Sequence, residues 1–273
     1  MHEFSNAELK KLAELRGSAP PRLANRIAVV TGASRGLGKF FAEVLACEGA
    51  HVILAARSQS QEALQKSVAD IDGAGGTSHA VEMDVTQVES VTTAFETMVE
   101  RWGVPTIIIN NAAVTEMVET FKQTPESFAR IIDTNLRGCW LVAREAARHM
   151  HAKGGGGSIV NVASILGLRQ GGQVTAYATA KAGLIQLTKQ LALKWARNEI
   201  RVNALAPGYV ETDLNREFFA TEKGHALIRR IPMRRLARLE DLVEPLMLLA
   251  GDGGAFITGV VLPIDGGHLV SGL

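Results

Sequence analysis

From Arg26 onward the chain repeats one pattern, a short run rich in β-branched residues followed by a long amphipathic segment. The runs are IAVV, HVILAA, HAVEMDV, TIIIN, SIVNVAS, RVNALAP and GVVLPID. Between them lie KFFAEVLACEG and helices expected near 60–72, 87–102, 125–152 and 175–197. Strands that are apolar along their length need cover on both faces, and helices between consecutive strands supply it. The expected fold is α/β: a single-domain Rossmann fold, a doubly wound parallel sheet of about seven strands with helices on both faces. Upstream, SNAELKKLAELR over 5–16 carries leucines at 9, 12 and 15, with Ser5 and Glu8 spaced as a capping box, and GSAPP ends it. This predicts an N-terminal helical extension over 1–24, docked on the domain or on another subunit, ahead of a main domain over 25–273. GGGG at 154–157 fits a turn between a helix and the strand SIVNVAS.

A chain of 273 residues with 47% hydrophobic content suffices for one large core. Its net charge of +1 gives no concentrated basic face for nucleic acid or a membrane surface, so the expected partner is a small molecule. No run of eighteen apolar residues occurs, and the acidic N-terminal residues Glu3, Glu8 and Glu14 do not suit a secretory signal or transit peptide. A cytoplasmic protein is expected. Cys47 and Cys139 lie in apolar helical patterns, as core residues do. The seven histidines show no ligand spacing, so no metal site is expected; His151, His225 and His268 are lone residues within reach of a site.

Immediately after the first run comes TGASRGLGKFF, with glycines at 32, 36 and 38. Between a strand and a helix, such a loop lets a pyrophosphate approach the helix N-terminus and its free N–H groups. The loop residues expected at a dinucleotide are Gly32, Ser34, Arg35, Gly36, Leu37 and Gly38. An NAD site generally places a carboxylate at the end of the second strand, where it accepts the ribose 2′-hydroxyl. Here the strand ends Ala55, Ala56, Arg57, with no acid. Arg57, helped by Arg35, suits a 2′-phosphate through charge-assisted bonds. NADP(H) is therefore favoured, with NAD(H) the other candidate.

In AYATAK, Tyr177 precedes Lys181 by four residues, which puts both on one helix face. An ammonium there can act on a phenol, although a packing tyrosine beside a solvated lysine has the same spacing.

Together with NNAA after the fourth strand, a serine ending the fifth and APGYVET, these motifs resemble the short-chain dehydrogenase/reductases over Asn25 to about His268. Among them, the chain looks most similar to the 3-oxoacyl-carrier-protein reductases and the gluconate or deoxygluconate dehydrogenases. The resemblance implies an oxidoreductase acting on CH–OH donors with NAD(P)+ as acceptor. It implies Tyr177 as the acid in reduction or the base in oxidation, with Lys181 beside it and on the nicotinamide ribose. Ser164 would bond the substrate oxygen, and Asn135 would hold a water linking Lys181 to solvent. Asp84 and Val85 match the adenine clamp, and Asn111, Ala112 and Ala113 the central ribose region. Pro207, Gly208, Val210 and Thr212 match the segment seating the carboxamide. Ala113 departs from the family's usual glycine and is expected to tighten the backbone beside the cofactor. The resemblance also implies a substrate lid near 211–238 and a homotetramer.

The function expected is NADP(H)-dependent reduction of a carbonyl to a secondary alcohol, or the reverse, with a Ser-Tyr-Lys-Asn group. The alternatives are an NAD-linked sugar-acid or polyol dehydrogenase and a non-catalytic dinucleotide sensor. Arginines 229, 230, 234, 235 and 238 fit either an anionic substrate or a solvated face paired to Glu240, Asp241 and Glu244.

Overall fold

The computed structural model describes residues 20–212 and 215–271. The helix expected over 5–16 lies outside the described residues. Strands β1 (Ile27–Thr31), β2 (His51–Ala56), β3 (Thr77–Glu82), β4 (Ile107–Asn110), β5 (Gly157–Val162), β6 (Ile200–Pro207) and β7 (Val261–Ile264) form one sheet. The order is β3-β2-β1-β4-β5-β6-β7, and every pairing is parallel.

Helices α1 (Gly36–Cys47), α2 (Gln61–Gly73), α3 (Val88–Trp102), α4 (Pro125–Ile132), α5 (Cys139–Lys153) and α6 (Thr175–Trp195) connect the first six strands. α4 and α5 are one helical run, joined by a π-helical turn at Asp133–Gly138. After β6 come the short helices α7 (Arg216–Phe219) and α8 (Glu222–Ile228), and then α9 (Val243–Ala250).

Alternate residues of one strand feed opposite faces, as the period of two requires. Ala28 and Val30 of β1 join Phe41 and Leu45 of α1 with Leu246 of α9. Val29, between them, joins Phe95 and Met98 of α3 with Val142 of α5 on the other face. Each fully buried Leu, Ile or Val side chain stabilises the fold by roughly 1.5–3 kcal/mol. The last strand departs from the all-buried expectation: β7 is an edge, Val261 and Leu262 are half-buried, and Pro263 is exposed. A proline that cannot donate to a ladder suits that position.

Residues just before β1 are tied to the domain. Leu23 is buried, and Arg22 pairs with Glu48 at 2.6 Å and Glu244 at 2.9 Å. The glycine turn ends α5 with Gly154 in the left-handed region (φ 74°) before β5 begins at Gly157.

The strand order reverses at β1, whose neighbours are β2 and β4. Connections leave these two edges of β1 in opposite directions and open a crevice at the carboxyl ends of the strands. The predicted site residues cluster at that end.

Candidate active site

The glycine loop opens the site at the end of β1. Gly32 (φ 64°) and Gly36 (φ 57°) adopt left-handed backbone that side chains disfavour. Gly38 is required for space instead: a Cβ there would collide with Gly32 O and lie 2.5 Å from Asn111 Nδ2. The same Asn111 Nδ2 donates to Thr31 O at 3.0 Å and Gly32 O at 3.3 Å. Thr31 Oγ1 in turn accepts from the N–H groups of Asn111 and Ala112, both at 3.0 Å. The loops after β1 and β4 are thereby locked together around a backbone cradle with no side chain in it. Thr31 holds this joint and is absent from the sequence reading, because a strand-terminal threonine carries no signal of its own.

Arg35 and Arg57 flank the cradle. Both are exposed, and neither makes an ion pair among the described residues. They contrast with Lys39 of α1, which is buried and spent on Asp70 at 2.8 Å. Asp84, after β3, accepts from Thr86 N–H at 2.9 Å and Thr86 Oγ1 at 2.7 Å, all through Oδ1. Oδ2 has no such partner. Val85 is core: it is buried, and a Cβ at Gly138 would sit 2.9 Å from its Cγ2.

Deeper in, a cavity of about 250 Å³ is lined by Ser164, Tyr177 and Lys181, with Asn111, Ala113, Pro207, Gly208, Val210 and Thr212 around them. Leu37 reaches it from the glycine loop. Val162, Ala163, Tyr209 and Asn215 also line it and were not anticipated. Asn215 explains the loop's shape: its side chain accepts from Thr212 N–H and donates to Val210 O, at 2.9 and 2.8 Å. Ala113 has ordinary negative φ, so its methyl imposes no backbone strain. Ala113 stands on the cavity wall.

Lys181 is only 2% exposed, and its Nζ donates to Val162 O at 2.6 Å. It makes no ion pair among the described residues. A buried ammonium without a carboxylate is costly and marks a site where the charge is used. Lys181 Nζ lies 5.6 Å from the centre of the Tyr177 ring, so the helical spacing brings them together. Beneath them, burial pushes the Cys139 thiol up, against the opposing charge of Lys181. It stays protonated and inert. Ser164 Oγ accepts from Leu166 N–H at 3.1 Å, capping the short turn that follows β5. Its own proton remains to be donated.

Asn135 sits inside the π-helical turn, fully buried. Its Oδ1 accepts from Val114 N–H and its Nδ2 donates to Val114 O, both at 2.8 Å. The Asn135 side chain is committed to the loop after β4. A regular helix disfavours a buried asparagine, and the widened turn gives this one a partner.

The segment after β6 folds back on itself beside the site. Val210 bridges Ala237, with Ala237 N–H donating to Tyr209 O and Glu211 N–H to Ala237 O, both at 2.9 Å. Of the arginines over 229–238, Arg235 pairs with Asp241 at 2.5 Å, as a solvated face would. Glu244 is taken by Arg22, not by these arginines. Among the described residues no group of three or more His, Cys, Asp or Glu side chains could hold a metal ion. Nor is any helix among them long and apolar enough to cross a membrane.

Residues 32–268 match the family described as enoyl-(acyl carrier protein) reductase. The chain is 34% identical over 249 residues to a 3-oxoacyl-(acyl-carrier-protein) reductase of Pseudomonas aeruginosa, covering 91% of this chain and 99% of that one. It superposes with a TM-score of 0.84 on a short-chain type dehydrogenase/reductase from Mycobacterium marinum, at 35% identity over 95% of this chain and 98% of that one. A gluconate 5-dehydrogenase from Burkholderia cenocepacia, solved in complex with NADP and tartrate, gives a TM-score of 0.87 at 30% identity, covering 92% and 98%.

Proposed function

The chain belongs to the short-chain dehydrogenase/reductase family, oxidoreductases acting on CH–OH donors, and on that premise we propose that it is an NADP(H)-dependent enzyme interconverting a carbonyl and a secondary alcohol. The observation that carries this reading is the buried, carboxylate-free Lys181 beside Tyr177, in a cavity that Ser164 also lines. Binding alone needs no such group.

A dinucleotide fits the residues present: the cradle at Gly38 excludes even a methyl, and the loop N–H groups face an unencumbered approach. When bound, it supplies or accepts the hydride. Gly32, Ser34, Gly36 and Gly38 would hold its pyrophosphate, and Asp84 its adenine through the unengaged Oδ2. Asn111 to Ala113 and Pro207 to Thr212 would hold the remainder. Arg57 at the end of β2 and Arg35 in the glycine loop, neither in an ion pair among the described residues, favour a 2′-phosphate.

Tyr177 gives its proton to the carbonyl oxygen in reduction and takes it back in oxidation. Lys181 stabilises the charge left on the phenol oxygen. Ser164 donates to the substrate oxygen, where negative charge develops. Asn135 positions the loop after β4 by clamping Val114. The exposed side chains Phe121, Phe128, Trp140 and Phe256 support burial in an oligomer, a homotetramer by family likeness. Light scattering tests that state.

The test of the reaction is a panel of ketones, keto acids, polyols and β-ketoacyl thioesters, run with NADPH and NADH in both directions and followed by nicotinamide absorbance. Turnover faster with the phosphorylated cofactor is expected. NADPH binding with no turnover across the panel would favour the sensor reading instead.

A further inference from the structure

The substrate side of the site carries charge that the fold leaves unneutralised. Arg169 lies on the loop that follows Ser164, half-buried, with Nη1 donating to His268 O at 2.7 Å. Arg230 follows lid helix α8 and is exposed. Among the described residues neither makes an ion pair. Neighbouring cations behave differently: Arg235 holds Asp241, and Arg216 holds Glu211 at 3.3 Å. Asp265, whose charge reaches His268, spends Oδ1 on Gly267 N–H at 2.9 Å and Oδ2 on Leu269 N–H at 2.7 Å.

Arg169 is bonded to the main chain of His268, whose ring centre lies 5.6 Å from that of Tyr209, and the charges of Arg169 and Arg230 both act on the wall that these two rings form. Burial pushes the Tyr209 phenol up, against the charges of Arg169 and Arg230. Burial lowers the His268 imidazole, and the same two arginines lower it further. The wall is therefore neutral at neutral pH, and the positive charge beside it comes from the arginines. His268 is only 4% exposed, and its Nδ1 has no hydrogen-bond partner. Tyr209 lines the same cavity as Ser164 and Tyr177, so the wall adjoins the reacting groups.

Docking of the lid fixes this arrangement. Met233 N–H donates to Gly266 O at 3.2 Å. Cβ atoms at Gly266 and Gly267 would meet Ile231 and Pro232 at 2.9 and 3.2 Å. The segment immediately after Arg230 thus packs on the turn that carries His268.

We infer that the substrate bears a carboxylate received at this wall between Arg169 and Arg230, with its reacting carbon toward Ser164 and Tyr177. The inference rests on the dehydrogenase reading above and narrows its substrate to a hydroxy acid or the corresponding keto acid. A guanidinium fork matches a carboxylate through two parallel bonds, and Arg169 has spent only one nitrogen on His268 O. A neutral ketone would leave the half-buried Arg169 without a counter-charge. The unpartnered Nδ1 of His268 adds a hydrogen-bonding group that an aromatic wall lacks.

The experiment has a binding arm and a turnover arm. In the first, the NADP+-saturated protein is titrated by calorimetry with four- to six-carbon aldonates and keto acids, and with their polyol or methyl ester counterparts. At least one carboxylate should bind at least tenfold more tightly than its neutral counterpart. Arg169→Gln should abolish that preference, Arg169→Lys should restore part of it, and Arg230→Gln, at an exposed position, should weaken it without loss of fold. Equal binding of acid and neutral partner, binding of neither, or a preference untouched by both glutamine variants would overturn the inference. The turnover arm separates the two readings. Carboxylates bound through Arg169 but never oxidised or reduced would sink the dehydrogenase reading and leave the subsite standing. Turnover of neutral substrates alone would do the reverse.

Discussion

The Lys181 ammonium lies 5.6 Å from the centre of the Tyr177 ring, held by a 2.6 Å bond to Val162 O at the end of β5. One turn of α6 therefore delivers a cation to a phenol from beneath, while the sheet supplies the oxygen that anchors it. The contrast with Lys39 is informative. That lysine is also buried, yet two carboxylates answer it, Asp70 at 2.8 Å and Glu43 at 3.7 Å, and it ties α1 to α2. Among the described residues no carboxylate answers Lys181.

Arg57→Ala should weaken NADPH far more than NADH, by about 1.5–3 kcal/mol, the worth of a hydrogen bond to a charged group. Dissociation constants for both cofactors, measured by quenching of protein fluorescence, check this. Equal losses would refute a 2′-phosphate at Arg57.

Gly38→Ala should abolish binding of both dinucleotides. The new methyl meets Gly32 O and Asn111 Nδ2, so the loops after β1 and β4 must separate. The same titration reads the effect. Unchanged affinity would show that the cradle is not the pyrophosphate site.

Asn135→Ala should lower stability by about 1–3 kcal/mol, because it leaves Val114 N–H and C=O unpaired in a half-buried place. Activity should fall with it as the loop after β4 loosens. Denaturant unfolding followed by circular dichroism measures the loss. A variant as stable as the parent would mean that the clamp on Val114 holds nothing in place.

The sequence made the sheet, the glycine loop and the Tyr177–Lys181 pair legible because each leaves a local periodic trace: apolar runs, three spaced glycines, a four-residue interval. Other features leave none. The clamp of Asn135 on Val114 spans 21 residues and depends on a π-helical turn that no propensity signals. Helix α9 escaped because its eight residues, VEPLMLLA, hold a proline and an apolar run too short to show a period. The roles of Thr31, Tyr209 and Arg169 arise from what the fold brings beside them. For the arginines over 229–238, only the structure separates Arg235, paired with Asp241, from Arg230, which has no ion pair among the described residues.

Acid should destabilise the fold through three histidines. Burial lowers His51, His149 and His268, with His79, Arg148 and Arg169 respectively lowering them further. Asp72, Glu145 and Asp265 oppose without reversing the direction. The unfolded chain takes up these protons near 6.5, before the folded protein does. The stability they contribute is fully present above that value and lost as pH falls through it toward the lower folded values. Thermal midpoints should therefore drop between about pH 7 and 5.5, and His51→Gln should flatten the slope. A midpoint that rises on acidification across this window contradicts the account.

The central claim is that Tyr177 is the proton donor of a hydride-transfer site. Its most direct test is the Tyr177→Phe variant, assayed on the substrate that the parent enzyme turns over fastest, with cofactor affinity measured alongside. Turnover should fall by about 10²–10⁴-fold while NADPH affinity stays within a few-fold, since the change removes a proton donor and little else. Near-parental turnover in that variant would contradict the claim.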